Sequence, residues 1–183
     1  MIRVRKAHGT DAGLLRRMIL EMGQHEQLPV FATEERLAED GFGDAPKFHA
    51  LIAEVEGAVA GYALFFDCYS SFQGPGIFLE DLFVRDRFQG KGVGRALLQR
   101  IAVRVVELGY CGIIFNVLDW NQSALEFFES AGAEVSDRKT LCLTGPALHG
   151  IAKRESANAN PGPNATSDPD QRTVSLGGQY ARN

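Results

Sequence analysis

Apolar and polar positions along the chain change period several times, and each change predicts an element. Residues 2–7 alternate like a strand, and Thr10 is placed to cap a helix with Asp11 in its first turn. Leu14, Leu15, Met18, Ile19 and Met22 form the apolar stripe of that helix, which runs to about Glu26 before Pro29 ends the segment. Thr33 opens a second, short helix through Leu37; three residues on stands Arg36 instead of an acid, so the capping box is only half present. Gly41-Phe42-Gly43 and Pro46 mark a loop. Strands are then expected over 48–55, 59–69 and 77–84, the first two joined by a tight turn at Glu56-Gly57 and the last two by a polar, glycine-rich loop. Val93, Leu97, Ile101, Val105 and Leu108 recur at helical spacing, and Gly109 is placed as a C-cap. Residues 111–118 read as a buried strand. Asn121 starts a helix through Leu125, Phe127 and Phe128 that closes at Ala131-Gly132-Ala133, and 138–143 reads as a last strand. The order β-α-α-β-β-β-α-β-α-β, with strands grouped and helices flanking them, predicts an α/β architecture: a mixed sheet covered by helices.

Composition adds boundaries. A chain of 183 residues is one domain with a tail, and from Ala152 onward large apolar residues become scarce while Pro161-Gly162-Pro163 appears. Residues 1–151 are therefore expected to fold, and 152–183 to be disordered, because that segment buries too little surface to offset its ordering entropy. A net charge of −4 argues against a nucleic-acid partner. The three cysteines, Cys68, Cys111 and Cys142, show no metal-type spacing and lie in apolar runs; buried reduced thiols and no metal are expected. The start of the chain alternates and is charged, unlike a signal peptide, and the longest apolar run, 58–66, falls far short of the ~20 residues of a membrane span. The expected location is cytoplasmic, with no membrane partner.

Candidate chemistry sits at Gln89-Gly90-Lys91-Gly92-Val93-Gly94, between the strand at 77–84 and the long helix. Such a turn aims several backbone N–H groups one way, and the helix dipole adds partial positive charge, so a phosphate or pyrophosphate fits there. A P-loop is disfavoured because Lys91 lies inside the glycines and no Ser or Thr follows. A dinucleotide fold is disfavoured because Arg95 stands where a third glycine is needed and three strands come first. A purely structural turn is the remaining plain alternative.

Gln89, Gly92 and Gly94 fill the spacing of the acetyl-coenzyme A motif of the GNAT N-acetyltransferases. Together with Thr33-Glu34, Leu37, Glu39-Asp40-Gly41-Phe42-Gly43, Leu79-Glu80-Asp81 and Leu118-Asp119-Trp120-Asn121-Gln122, it makes residues 2–143 resemble the diamine (spermidine/spermine) and thialysine acetyltransferase branch of that family. The resemblance implies a GNAT fold with a mostly antiparallel sheet, acetyl-CoA as co-substrate, a small amine as acceptor, direct attack in a ternary complex, and a homodimer. It implies Glu80 as general base acting directly or through water, needed because an alkylammonium with pKa ~10.4 is almost wholly protonated at neutral pH. It also implies that Leu82, Phe83 and Val84 pair with the pantetheine arm, with the Leu82 N–H holding the oxyanion. Gln89, Gly90, Lys91, Gly92, Val93, Gly94 and Arg95 would meet the phosphates, and Asn121 and Phe128 would lie near the cofactor. Glu26, Glu80 and Asp81 would bind the amine. Three positions depart from the spermidine/spermine pattern: Ser70 replaces an acidic residue, Phe72 replaces Trp, and Phe128 replaces the Tyr that protonates the leaving thiolate. The first points to a short lysine-like or diamine acceptor. The last, with a possible loss of ~10²–10⁴-fold, keeps open a coenzyme A-binding module with weak catalysis, and a protein amine as acceptor stays open beside it.

Overall fold

The computed structural model describes residues 1–158, with side chains described to Lys153. Strand β1 (Ile2–Lys6) leads into helix α1 (Ala12–Glu26) and helix α2 (Glu34–Phe42). Strands β2 (His49–Val55), β3 (Ala58–Ser70) and β4 (Gly74–Val84) follow, then helix α3 (Val93–Leu108), strand β5 (Ile113–Phe115), helix α4 (Gln122–Ser130) and helix α5 (Gly145–Asn158). The first nine strand and helix positions, up to α4, therefore match the expected order. The chain divides into two units, the first ending at Ser130 and the second beginning at Ala131.

The sheet of the first unit runs β1-β2-β3-β4-β5; the first three pairings are antiparallel and β4 with β5 is parallel. The mixed sheet flanked by helices is thus as the alternation predicted. Local chemistry sets the boundaries. Thr33 caps α2, its hydroxyl accepting from Arg36 N at 3.2 Å. The α1 cap falls to Asp11 instead of Thr10; its carboxylate accepts from His8 N and takes two hydrogen bonds from Arg5. Glu56 and Gly57 both have positive φ, the tight hairpin geometry expected for that dipeptide. Leu15 and Met18 of α1 pack with Ala50, Ile52, Tyr62 and Leu64 into one core cluster. Val93, Leu97, Ile101 and Val105 form the buried stripe of α3.

The second unit differs from expectation. Residues 138–143 form no strand: a strand exists only where its N–H and C=O groups join a ladder, the sheet ends at β5, and Leu141 and Leu143 stay exposed. The expected boundary at 151/152 falls inside α5, and the expected disordered tail beyond Asn158 lies outside the described residues. The cysteines are not buried as expected. Cys111 and Cys142 are exposed because the first lies in the loop leaving α3 and the second in the strandless stretch; Cys68 is half-buried, and all three are free. No helix among the described residues is long and apolar enough to cross a membrane, and they hold no cluster of metal-type ligands.

Candidate active site

A bulge in β4 builds the site. Leu64 of β3 stands opposite Asp81, but the next residue, Phe65, stands opposite Leu79, so Glu80 is an extra residue with no partner across the ladder. Hydrogen bonds show what this does to the strand. The Ile77 N–H donates away from β3, to Gly112 O at 3.0 Å, whereas the Arg85 N–H donates toward β3, to Ala60 O at 2.9 Å. Both residues are odd-numbered, so the alternation has reversed between them, at Glu80. After the bulge, Phe83 turns its backbone groups toward β3, and Leu82 and Val84 turn theirs to the opposite edge.

That edge is open. Pairing with β5 stops at Leu79↔Phe115, so the two strands part as Glu80–Val84 begins. Val84 O accepts from Gln89 Nε2 at 3.0 Å, which leaves the Leu82 N–H and C=O and the Val84 N–H along the gap. Phe83, expected among the cofactor contacts, presents no backbone group there; the bulge has turned it to β3.

The glycine turn begins where this edge ends. Gln89 latches it through Val84 O and Asp86 Oδ1, so its side chain serves the turn's shape. Gly90 and Gly92 have φ of 69° and 83°, conformations that side chains resist. The first N–H bonded within α3 is that of Ala96, to Gly92 O at 3.0 Å, so the N–H groups of Val93, Gly94 and Arg95 are the unpaired start of the helix. Gly94 lies against the Phe127 ring and Leu82, which brings the turn, the open edge and α4 together. Lys91 and Arg87 lie over the Phe88 ring, and Arg95 reaches Ser130 O at the end of α4. Asn121 uses its carboxamide oxygen to cap α4, accepting from Ala124 N at 3.2 Å. Phe128 is 9% exposed and stacks on Phe115 at 4.1 Å, so this position is part of the packing behind the gap.

Three carboxylates meet at the bulge. Glu80 is exposed and Asp81 half-buried, and Glu26 comes in from the last turn of α1. An acid at a helix C-terminus opposes the dipole, so Glu26 is placed against its own electrostatics. Among the described residues none of the three forms an ion pair. Burial pushes the Asp81 carboxyl up to about 7, opposed by a hydrogen bond from Tyr62 and assisted by the charges of Glu80 and Glu26. Burial likewise raises Glu26. Tyr62 is 0% exposed; its hydroxyl donates to Asp81 Oδ2 at 3.0 Å and lies 3.6 Å from Met22 Sδ. In the sequence Tyr62 lies within the apolar run 58–66. The signal was there, since a phenol inside Ala60-Gly61-Tyr62-Ala63-Leu64 must find a buried partner. Trp120, 56% exposed, lies 6.4 Å ring to ring from His25, so the loop before α4 meets the end of α1 beside the acidic cluster. Ser70 is half-buried and Phe72 exposed at the β3–β4 turn, where Ser70 Oγ accepts from Phe72 N and Gln73 N.

Comparison with known proteins places this geometry. Residues 16–133 match the model of the acetyltransferase (GNAT) family. The chain is 34% identical over 143 residues to the thialysine N-epsilon-acetyltransferase of Bos taurus, a match covering 73% of this chain and 84% of that protein. It is 43% identical over 97 residues to an L-ornithine N5-acetyltransferase of Arabidopsis thaliana, covering 52% of this chain and 42% of that one. Among solved structures, an aminoglycoside N-acetyltransferase in complex with CoA superposes with a TM-score of 0.62 at 20% identity, covering 78% of this chain and 93% of that chain.

Proposed function

The chain belongs to the acetyltransferase (GNAT) family and is an N-acetyltransferase, and from that premise we infer that it moves the acetyl group of acetyl-CoA to a primary amine of a small cationic substrate, a lysine-like amino acid or a diamine. One observation carries the acceptor class: Glu26, Glu80 and Asp81 converge at the β4 bulge, and among the described residues none of them forms an ion pair. A site of that charge recruits an ammonium group. The named relatives act on thialysine and ornithine, both short amines of this kind.

The residues present fit acetyl-CoA. Val93, Gly94 and Arg95 offer unpaired N–H groups at a helix start, with Lys91 beside them, which suits the phosphates. The Leu82 and Val84 groups along the gap suit the amides of the pantetheine arm. The bound co-substrate supplies the activated acetyl thioester. The chain supplies the rest. The Leu82 N–H is the donor for the thioester carbonyl oxygen, where it favours charge as that oxygen gains it.

The proton of the incoming ammonium goes to a carboxylate, and the raised proton affinity of Asp81 supports it over Glu80 in that role. Glu80 is exposed at the bulge and well placed to hold the ammonium or a water beside it. Asp81 has the affinity for a proton that general-base work near neutral pH needs, and Tyr62 fixes its orientation. Phe128 has no hydroxyl, so this chain offers no phenolic acid at that position for the departing thiolate.

Thiol release from acetyl-CoA against thialysine, ornithine, a diamine, spermidine and a lysine-containing peptide tests the reading. Turnover is expected with the short amines, each yielding a product heavier by one acetyl group. Turnover on the peptide alone would overturn the acceptor class.

A further inference from the structure

One cavity among the described residues lies away from the acidic cluster. It lies between α3 and the sheet, with a volume of about 210 Å3. Its floor is apolar: Phe42, Phe48, Leu51 and Phe65. Its wall carries three cationic side chains, Lys6, Arg100 and Arg104, against one acid, Glu107. Neither Lys6 nor Arg100 forms an ion pair among the described residues.

Arg104 is the informative member. Its Nε is buried and has no hydrogen-bond acceptor among the described residues. Its Nη2 stands 3.4 Å from His49 Nε2 and 3.6 Å from Asp67 Oδ1, both long. Burial and the Arg104 charge hold the His49 imidazole toward its neutral form, so it does not add a further cation. A buried guanidinium N–H without an acceptor is costly, and such groups are normally met by a protein group, an ordered water or an anion. The fork of Arg104, with Arg100 one turn before it on α3, matches a carboxylate, and the aromatic floor matches an apolar body.

We propose that this cavity is a second ligand site and that it takes a small organic carboxylate. Its volume equals that of roughly seven waters at ~30 Å3 each, enough for one ring or a short branched chain and too small for a nucleotide. Arg104 lies ~16 Å along α3 from Val93, at 1.5 Å per residue, so the site is separate from the glycine turn at the other end of the same helix.

The test uses the full chain with benzoate, benzylamine and inorganic phosphate as probes, each titrated against thermal unfolding. Benzoate is expected to raise Tm with concentration, while benzylamine, the same ring with opposite charge, does not. Inorganic phosphate, which has no apolar body, is expected to bind at least about tenfold more weakly. Arg104→Gln is expected to weaken benzoate by about tenfold or more, and Lys91→Gln, at the glycine turn, to leave it unchanged. Arg100→Gln alters an exposed side chain and serves if Arg104→Gln does not fold; it is expected to weaken benzoate by about threefold. No benzoate effect, an equal effect of benzylamine or phosphate, or undiminished benzoate binding in both arginine variants overturns the proposal. So does a benzoate effect lost in Lys91→Gln, which would place the anion at the turn.

Discussion

Replacing Asp81 by Asn should make the protein more stable and less active, and pH should separate the two effects. The Asp81 carboxyl is raised from 3.8 to about 7 chiefly by burial. A group whose acid form is favoured by folding binds more protons in the native state between those two values. Stability must therefore fall as pH rises from about 4 to about 7 and level off above, by the linkage relation. A displacement of roughly three pH units at ~1.4 kcal/mol each gives an upper bound of about 4 kcal/mol. Asp81 retains some contact with solvent, and relaxation around the charge lowers the figure, so about 2 kcal/mol is the working value. Asn keeps an oxygen to accept from the Tyr62 hydroxyl and carries no charge, so the variant removes the penalty without orphaning the phenol. Urea denaturation of both proteins from pH 4 to pH 8 measures this. The Asn variant should gain about 2 kcal/mol over the parent by pH 8, with the difference shrinking toward pH 4. Its kcat should drop by ~10²-fold or more, and the parent's kcat/KM should climb with pH through about 7. A variant equal to or less stable than the parent at pH 8, or one that keeps the parent's pH–rate profile, refutes the reasoning.

Four further outcomes follow from the same geometry. Glu26→Gln removes one of the unpaired charges at the acidic cluster and should raise KM for a diamine roughly tenfold, with little change in kcat. Phe128→Tyr should raise kcat about tenfold by steady-state assay, even as a hydroxyl added beside the Phe115 stack lowers Tm; an unchanged kcat would mean that no acid role is vacant there. Gly61→Ala should destabilise by about 3 kcal/mol or more in a denaturant titration, because its Cβ would lie within bonding-clash range of the Phe83 carbonyl oxygen across the β3–β4 ladder. Gly92→Ala forces a side chain onto a φ of 83° and should both lower Tm, at ~1–2 kcal/mol, and weaken coenzyme A binding measured by calorimetry.

Elements whose signal is local could be read from the sequence. Thr33, Glu56-Gly57 and Gly109 each act within a few residues, and each stands where its chemistry placed it. The stripe from Val93 to Val105 is likewise a local pattern, and it is the buried face of α3. The glycine turn was legible for the same reason. What failed depended on partners far along the chain. Residues 138–143 read as a strand, but only a free sheet edge could have made them one. Cys111 and Cys142 sit in apolar runs, yet the sheet does not cover them. The adjacent acids Glu80 and Asp81 were visible, but which is exposed and which carries the raised pKa is set by the bulge, a matter of register between β3 and β4. The same slip hides Phe83 from the open edge and gives it to Leu82 and Val84.

In the proposed reaction an amine and acetyl-CoA meet in one gap, with the Leu82 N–H and the acidic cluster acting on both at once. Initial velocities measured over a grid of acetyl-CoA and thialysine concentrations test that most directly. Double-reciprocal lines that intersect are predicted, because direct transfer requires both substrates bound together. Parallel lines, the mark of an acetylated protein formed before the amine binds, would contradict it.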